Sequence, residues 1–141
     1  MYIAFLLFLS CTIGRIQKKT VDEGVQLLRV EYSGSQIGVE QQFLMHINRV
    51  IRQEGWFGRN PIVLELISVE ERWQSPQLWG LEVKAHIRYQ DRKSPMIRYR
   101  AVERIQYLER FVETRQNAYQ MMYLSLSQRV FHWLFIQGSD F

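Results

Sequence analysis

Residues Trp79–Tyr89 read WGLEVKAHIRY. From Leu81 onward Leu81, Val83, Ala85, Ile87 and Tyr89 take one parity, and Glu82, Lys84, His86 and Arg88 the other. Successive side chains of a strand point to opposite faces. An apolar parity set against a charged one therefore marks an antiparallel sheet with one buried and one wet face. Asp91-Arg92-Lys93-Ser94-Pro95 follows as a loop, and Ile97, Tyr99, Ala101, Ile105 and Tyr107 supply the inward set of the next strand. Pairing Tyr89 with Ile97, Ile87 with Tyr99 and Ala85 with Ala101 keeps every apolar residue inward. The same register sets Arg88 opposite Arg98, His86 opposite Arg100 and Glu82 opposite Arg104, and turns Glu103 inward against Val83. Like charges directly across a sheet destabilise it. Arg88 and Arg98, beside Arg92 and Lys93, have two readings: an anion-binding strip at the hairpin tip, or, more plainly and more commonly, long side chains splayed into solvent.

Working backward, Ile62–Trp73 (IVLELISVEERW) is a strand with an apolar start, and Gln74-Ser75-Pro76-Gln77 breaks it. The turn cluster GWFGRNP, Gly55–Pro61, precedes it. Before that, Val39, Phe43, Ile47, Val50 and Ile51 recur at helical spacing. Ser35 is the expected N-cap, and Gly55 the expected stop. Val25–Tyr32 (VQLLRVEY) is a first strand. Forward of the hairpin, Thr114–Gln137 is helical: Tyr119, Met122, Tyr123, Leu126, Val130, Trp133 and Leu134 share one broad side, and Gly138 ends it. The segment VFHWLFI, Val130–Ile136, is apolar nearly all round and is expected in the core. The order is β-α-β-β-β-α. A strand–helix–strand unit lays its strands parallel, and the later short connections make an antiparallel meander. The expected fold class is α+β: a two-layer sandwich with a four-stranded mixed sheet and two helices on one face.

The chain starts MYIAFLLFLSCTIGRIQKK. Tyr2–Leu9 is about half the roughly 20 apolar residues that a transmembrane helix needs, but it matches a secretory apolar region followed by a small residue, Ser10. Cys11, the sole cysteine, stands where a lipoprotein signal places its acylated residue, and Phe8-Leu9-Ser10-Cys11 looks like a lipobox. Residues 1–10 are expected to be a lipoprotein signal peptide, 11–23 a lipidated tether, and 24–141 a single domain. The competing reading is a buried N-terminal strand with a buried cysteine.

The 141 residues carry a net charge of +4, with lysine only at Lys18, Lys19, Lys84 and Lys93. Arginine forks match phosphate and carboxylate geometry, so an anionic partner is expected: nucleic acid, anionic lipid or lipopolysaccharide. One cysteine allows no internal disulfide and no thiolate metal cluster. His46 and His86 have no converging ligands, so no metal is expected. Trp56, Trp73, Trp79 and Trp133 read as packing residues, with a rim position open to Trp79. No glycine-rich phosphate loop, GxSxG elbow, HExxH or CxxC occurs, and no Ser–His–Asp set, so neither an enzyme nor a cofactor is expected.

The FLSC signal, the first strand VQLLRVEYS, the helix VEQQFLMHINRVIRQEG and the segment ETRQNAYQMMYLSLSQRVFHWL, in this element order and length, resemble the LptE family of lipopolysaccharide-assembly lipoproteins. The resemblance implies a lipid-anchored protein on the periplasmic side of the outer membrane, acylated at Cys11. It would plug and stabilise a β-barrel lipopolysaccharide translocon and assist lipid delivery. The family's lipid contacts fall by position near Arg72 and Arg115, which would engage lipid A phosphates through charge-assisted bonds. With Arg88 and Arg98 these form the candidate lipopolysaccharide-binding set. Two alternatives stand beside it. One is a small basic α/β nucleic-acid-binding module, disfavoured because no RNP-like aromatic motif stands on a central strand, so nucleic acid is not the expected partner. The other is a different outer-membrane lipoprotein such as a secretin pilotin.

Overall fold

The structure, a computed structural model, describes residues 24–137. The expected signal peptide 1–10, Cys11, the tether 11–23 and the stop at Gly138 lie outside the described residues. The elements are β1 (Val25–Tyr32), α1 (Val39–Gln53), β2 (Asn60–Ser75), β3 (Leu78–Tyr89), β4 (Arg92–Lys93), β5 (Ile97–Arg104) and α2 (Phe111–Phe131), which runs on as a π-helix over His132–Gln137. β1 and β2 are parallel and the other pairings antiparallel, in a mixed sheet where β3 pairs with β2 on one side and with β4 and β5 on the other. This is the expected α+β sandwich, with β4 as a two-residue addition.

The apolar parities meet as the patterning requires. Phe43, Ile47 and Ile51 of α1 and Met122, Leu126 and Val130 of α2 are buried with Ile62, Leu64, Leu81, Val83 and Ile87 of the sheet. Side chains of this kind each contribute about 1.5–3 kcal/mol on burial. Trp79 is 1% exposed and belongs to the core; Trp73, 42% exposed, takes the rim position, its ring 5.0 Å from Phe111. The difference follows from place in the sheet: Trp79 stands on the central strand, Trp73 near the end of β2. Trp133 and Leu134 are buried, and the Phe131 ring stacks on Trp56 at 4.8 Å, which puts the apolar end of α2 in the core.

Helix α1 starts later than Ser35 suggests. Its N-cap is Gly38, at φ +82 and with no side-chain cap, a left-handed conformation that glycine adopts without a Cβ penalty. Gly55 stops α1 as expected: at φ +78 it donates its N–H to the Arg52 carbonyl, and the next N–H, of Trp56, reaches Ile51.

The hairpin register differs from the expected one. A two-residue turn at Gln90–Asp91, with Gln90 at φ +56, brings Arg92 opposite Tyr89 and Lys93 opposite Arg88. Ser94 then closes on Ile87: its Oγ accepts the Ile87 N–H and its own N–H donates to the Ile87 carbonyl, both at 2.8 Å. Pairing resumes with Ala85 opposite Ile97, Val83 opposite Tyr99 and Leu81 opposite Ala101. The loop is therefore tighter than the DRKSP stretch implies, and partners slip by four residues. An even slip leaves every side chain on its expected face but changes its neighbour. Arg88 is not opposite Arg98, nor His86 opposite Arg100, nor Glu82 opposite Arg104; Glu103 stands against Trp79, not Val83. Tyr107 is not inward but 60% exposed. Strand β5 ends at Arg104, Ile105 donates to the Gln77 carbonyl, and the chain turns away into a short 3-10 turn, Leu108–Arg110.

Candidate functional site

Both helices pack on one side of the sheet, so among the described residues its other face is open. By alternation and register that face carries Arg29 and Glu31 of β1, Glu65, Glu70 and Arg72 of β2, Glu82, Lys84, His86 and Arg88 of β3, Lys93 of β4, and Arg98, Arg100 and Arg104 of β5. Its cations outnumber its carboxylates by two to one. Three carboxylates are each held between two cations. Glu31 lies 3.0 Å from Arg29 and 3.3 Å from Arg88. Glu65 pairs with Arg88 and, at 3.1 Å, with Lys93. Glu82 lies 3.4 Å from Arg98 and 3.8 Å from Arg100. Hydrogen bonds from Arg29 and then Arg88 hold the Glu31 carboxyl below its ordinary range.

The like-charge cross-strand pair expected of this hairpin exists, but as Lys84 opposite Arg98. Residues opposite each other are close enough for like charges to repel. Among the described residues Lys84 has no ion pair. Gly80, between Arg72 on β2 and Val102 on β5, leaves a dimple of about 60 Å³ lined by Glu70, Arg72, Glu82 and Arg100. Arg72 itself rests 3.4 Å from Glu70 and is largely exposed. The result is a charged floor with fixed carboxylates and a surplus of guanidinium and ammonium donors, suited to an extended polyanion. Among the described residues this face carries no phenylalanine, tyrosine or tryptophan for a base to stack on, and its one ring, the His86 imidazole, has Nδ1 2.9 Å from the Ser94 carbonyl.

The four candidate arginines do not form one cluster. Arg72, Arg88 and Arg98 share the open face; Arg115 lies on α2, on the helical side. There Arg115 makes a two-pronged pair with Glu71, at 2.7 and 2.5 Å, and Tyr119 donates to the same carboxylate at 2.6 Å. Burial alone would raise the Glu71 carboxyl, but the bonds from Arg115 and Tyr119 outweigh it and lower the pKa. Burial, then the bond to Glu71, pushes the Tyr119 phenol up. Arg115 borders a polar groove of about 570 Å³ between the helices, with Gln42, His46 and Gln120. Arg115 is thus committed to an internal pair, while Arg98 and Arg72 are more than half exposed. Sequence reading passed over Lys84 and Arg100 as members of the site. Their outward parity was visible, but the slipped register that puts Arg98 beside Lys84 and Arg100 beside Glu82 was not.

No protein-family model matches the chain, and no curated protein matches it. Solved structures do. A minor lipoprotein from Acinetobacter baumannii aligns with a TM-score of 0.50 at 12% identity, over 84% of this chain and 96% of that one. Rare lipoprotein B from Shewanella oneidensis aligns with a TM-score of 0.42 at 13% identity, over 82% and 97%. At 12% identity the first likeness is one of fold.

Proposed function

We propose that the chain is a lipid-anchored lipoprotein of the Gram-negative outer membrane that assists lipopolysaccharide assembly, seated as a plug in a β-barrel translocon and holding lipid A phosphates on its open sheet face. The observation that carries this reading is the surplus of cations on that face, around three fixed carboxylates and beside the Gly80 dimple. Guanidinium groups bind phosphate through short, charge-assisted and often paired bonds. The FLSC leader with Cys11 as its acylation point supports the anchor, and the fold likeness to a bacterial lipoprotein supports the class. The role is binding and positioning, with no covalent chemistry and no cofactor. Arg88 and Lys93, already engaged with Glu65, serve as scaffold; Arg72, Lys84, Arg98 and Arg100 supply the donors.

Two experiments test the two halves. Metabolic labelling with an alkyne palmitate analogue should mark the wild type and not Cys11→Ala; an unlabelled wild type removes the lipoprotein reading. Affinity isolation from outer membranes should recover a large β-barrel protein, and recovery of RNA in its place would favour the nucleic-acid module.

A further inference from the structure

Strand β5 is an edge. Its inner side pairs with β3, and among the described residues no strand lies on its outer side. The two edges of this sheet are treated differently. On β1 the first two outward rungs are closed: Val25 exchanges bonds with Trp56 and Gly58, and the Asn48 amide both accepts the Leu27 N–H and donates to the Leu27 carbonyl, at 2.8 and 2.9 Å. An amide placed so occupies the positions a neighbouring strand would take, a common way of blunting an edge. On β5, among the described residues, only the first rung is closed, where Arg129 donates to the Arg98 carbonyl at 3.0 Å.

The direction of the remaining rungs follows from the ladder. Ile87 bonds toward Ser94, and Ile105 bonds toward Gln77, so the odd-numbered residues of β5 turn their backbone to β3. Backbone direction alternates along an antiparallel strand. Arg100, Val102 and Arg104 therefore present N–H and C=O outward while their side chains lie on the open basic face. Val102 is 49% exposed between the two arginines. Among the described residues Arg104 bonds only the neutral Gln77 amide, and Arg100 shares Glu82 with Arg98 at 3.8 Å.

We infer that the free edge of β5 is a docking site for an extended strand of another protein that carries acidic residues at alternate positions. The main chain supplies the bonds, and the flanking side chains select the occupant. An incoming strand places one residue opposite each outward rung. Acidic residues opposite Arg100 and Arg104, with a small apolar one opposite Val102, complete the charge and cover the exposed valine. A second copy of this chain does not fit: every antiparallel register that pairs three or more of the residues Arg98, Arg100, Val102 and Arg104 sets arginine against arginine. The inference goes beyond lipid binding and does not depend on it: its main-chain bonds are ones that phosphate does not use, and only Arg100 serves both.

The test uses the full chain in detergent and a fluorescein-labelled peptide, acetyl-Thr-Glu-Thr-Val-Thr-Glu-Thr-amide, at low ionic strength. Anisotropy should rise with the protein and not with the same peptide carrying lysine for glutamate. Val102→Pro removes one outward N–H and leaves the β3 ladder intact, since proline is tolerated on an edge facing solvent. It should weaken binding at least tenfold, with Val102→Ala unchanged within threefold. Equal binding by Val102→Pro and wild type would overturn the inference in favour of simple charge attraction. Amide exchange of the unaltered protein provides a measure free of folding effects: the peptide should slow exchange at Val102 and Arg104 at least tenfold. No slowing, or amides already protected without peptide, would overturn it, the latter by showing the edge covered by this chain itself or by a second copy. The peptide measurements, with the exchange run on the unaltered protein, are made without lipopolysaccharide, so failure here is distinguishable from failure of the lipid reading.

Discussion

Glu71 collects more interactions than any other carboxylate on the helical side. Arg115 grips it with two nitrogens, and Tyr119 adds a hydroxyl donor. A two-pronged arginine pair gains order from its geometry, although partial exposure limits its worth to about 1 kcal/mol. Glu71→Gln should therefore lower stability by about 1 kcal/mol at pH 7 in urea titrations. Because the Glu71 pKa is lowered in the folded state, its contribution is present above the ordinary carboxyl value of 4.5 and is lost as pH falls through the folded value. The gap between wild type and Glu71→Gln should thus close in acid. His46 has the same sign from another cause. Burial, and then the Arg49 charge, lower its pKa from 6.5. Arg49 donates to Nδ1 at 2.7 Å, and the Nε2 side faces the Gln42 amide oxygen at 3.2 Å, so the folded state holds the neutral ring. The unfolded chain takes up a proton near 6.5, and stability should begin to fall as pH drops below that point. His46→Gln should flatten the slope between pH 7 and 5.5, read by the same titrations.

The elements were legible where one period ran unbroken. The alternation of Leu81–Tyr89 placed β3 and both its faces, and the Val39–Ile51 stripe placed α1. What escaped was pairing. The Asp91–Pro95 stretch reads as an ordinary loop, yet Gln90 in the left-handed region and the Ser94 hydroxyl fold it into a tight turn that slips every partner by an even step. Parity survives such a slip; cross-strand neighbours do not. The site was half legible for the same reason: Arg88 and Arg98 were correctly outward, but their partners are Glu31, Glu65 and Glu82. Arg115 was placed from the resemblance alone, and no local pattern shows that Glu71, distant in sequence, holds it. The observed register makes its own prediction. Lys84→Glu removes the repulsion with Arg98 and should raise stability by about 0.5 kcal/mol, whereas a neutral result would place Arg98 elsewhere. At the other edge, Asn48→Ala strips two bonds from the Leu27 backbone. It should cost about 1–3 kcal/mol and increase self-association in sedimentation runs.

On the scale of the whole molecule, the sandwich divides its labour between two faces. One side of the sheet is sealed by α1 and α2 around a continuous apolar core. The other, among the described residues, is a wet floor whose cations exceed its carboxylates and whose β5 edge has no further strand beside it. Lys84 stands opposite Arg98, whose guanidinium turns to Glu82 at 3.4 Å, and like charges so placed disfavour the sheet unless an anion or water screens them. The proposal stands on that face, and so does its most direct test. Binding of purified lipopolysaccharide should be measured for the wild type and for Lys84→Glu combined with Arg98→Glu and Arg100→Glu, beside lipopolysaccharide stripped of its lipid A phosphates. The account predicts that the triple variant, and the dephosphorylated lipid with the wild type, each lose at least tenfold in affinity. Undiminished binding in both would contradict it.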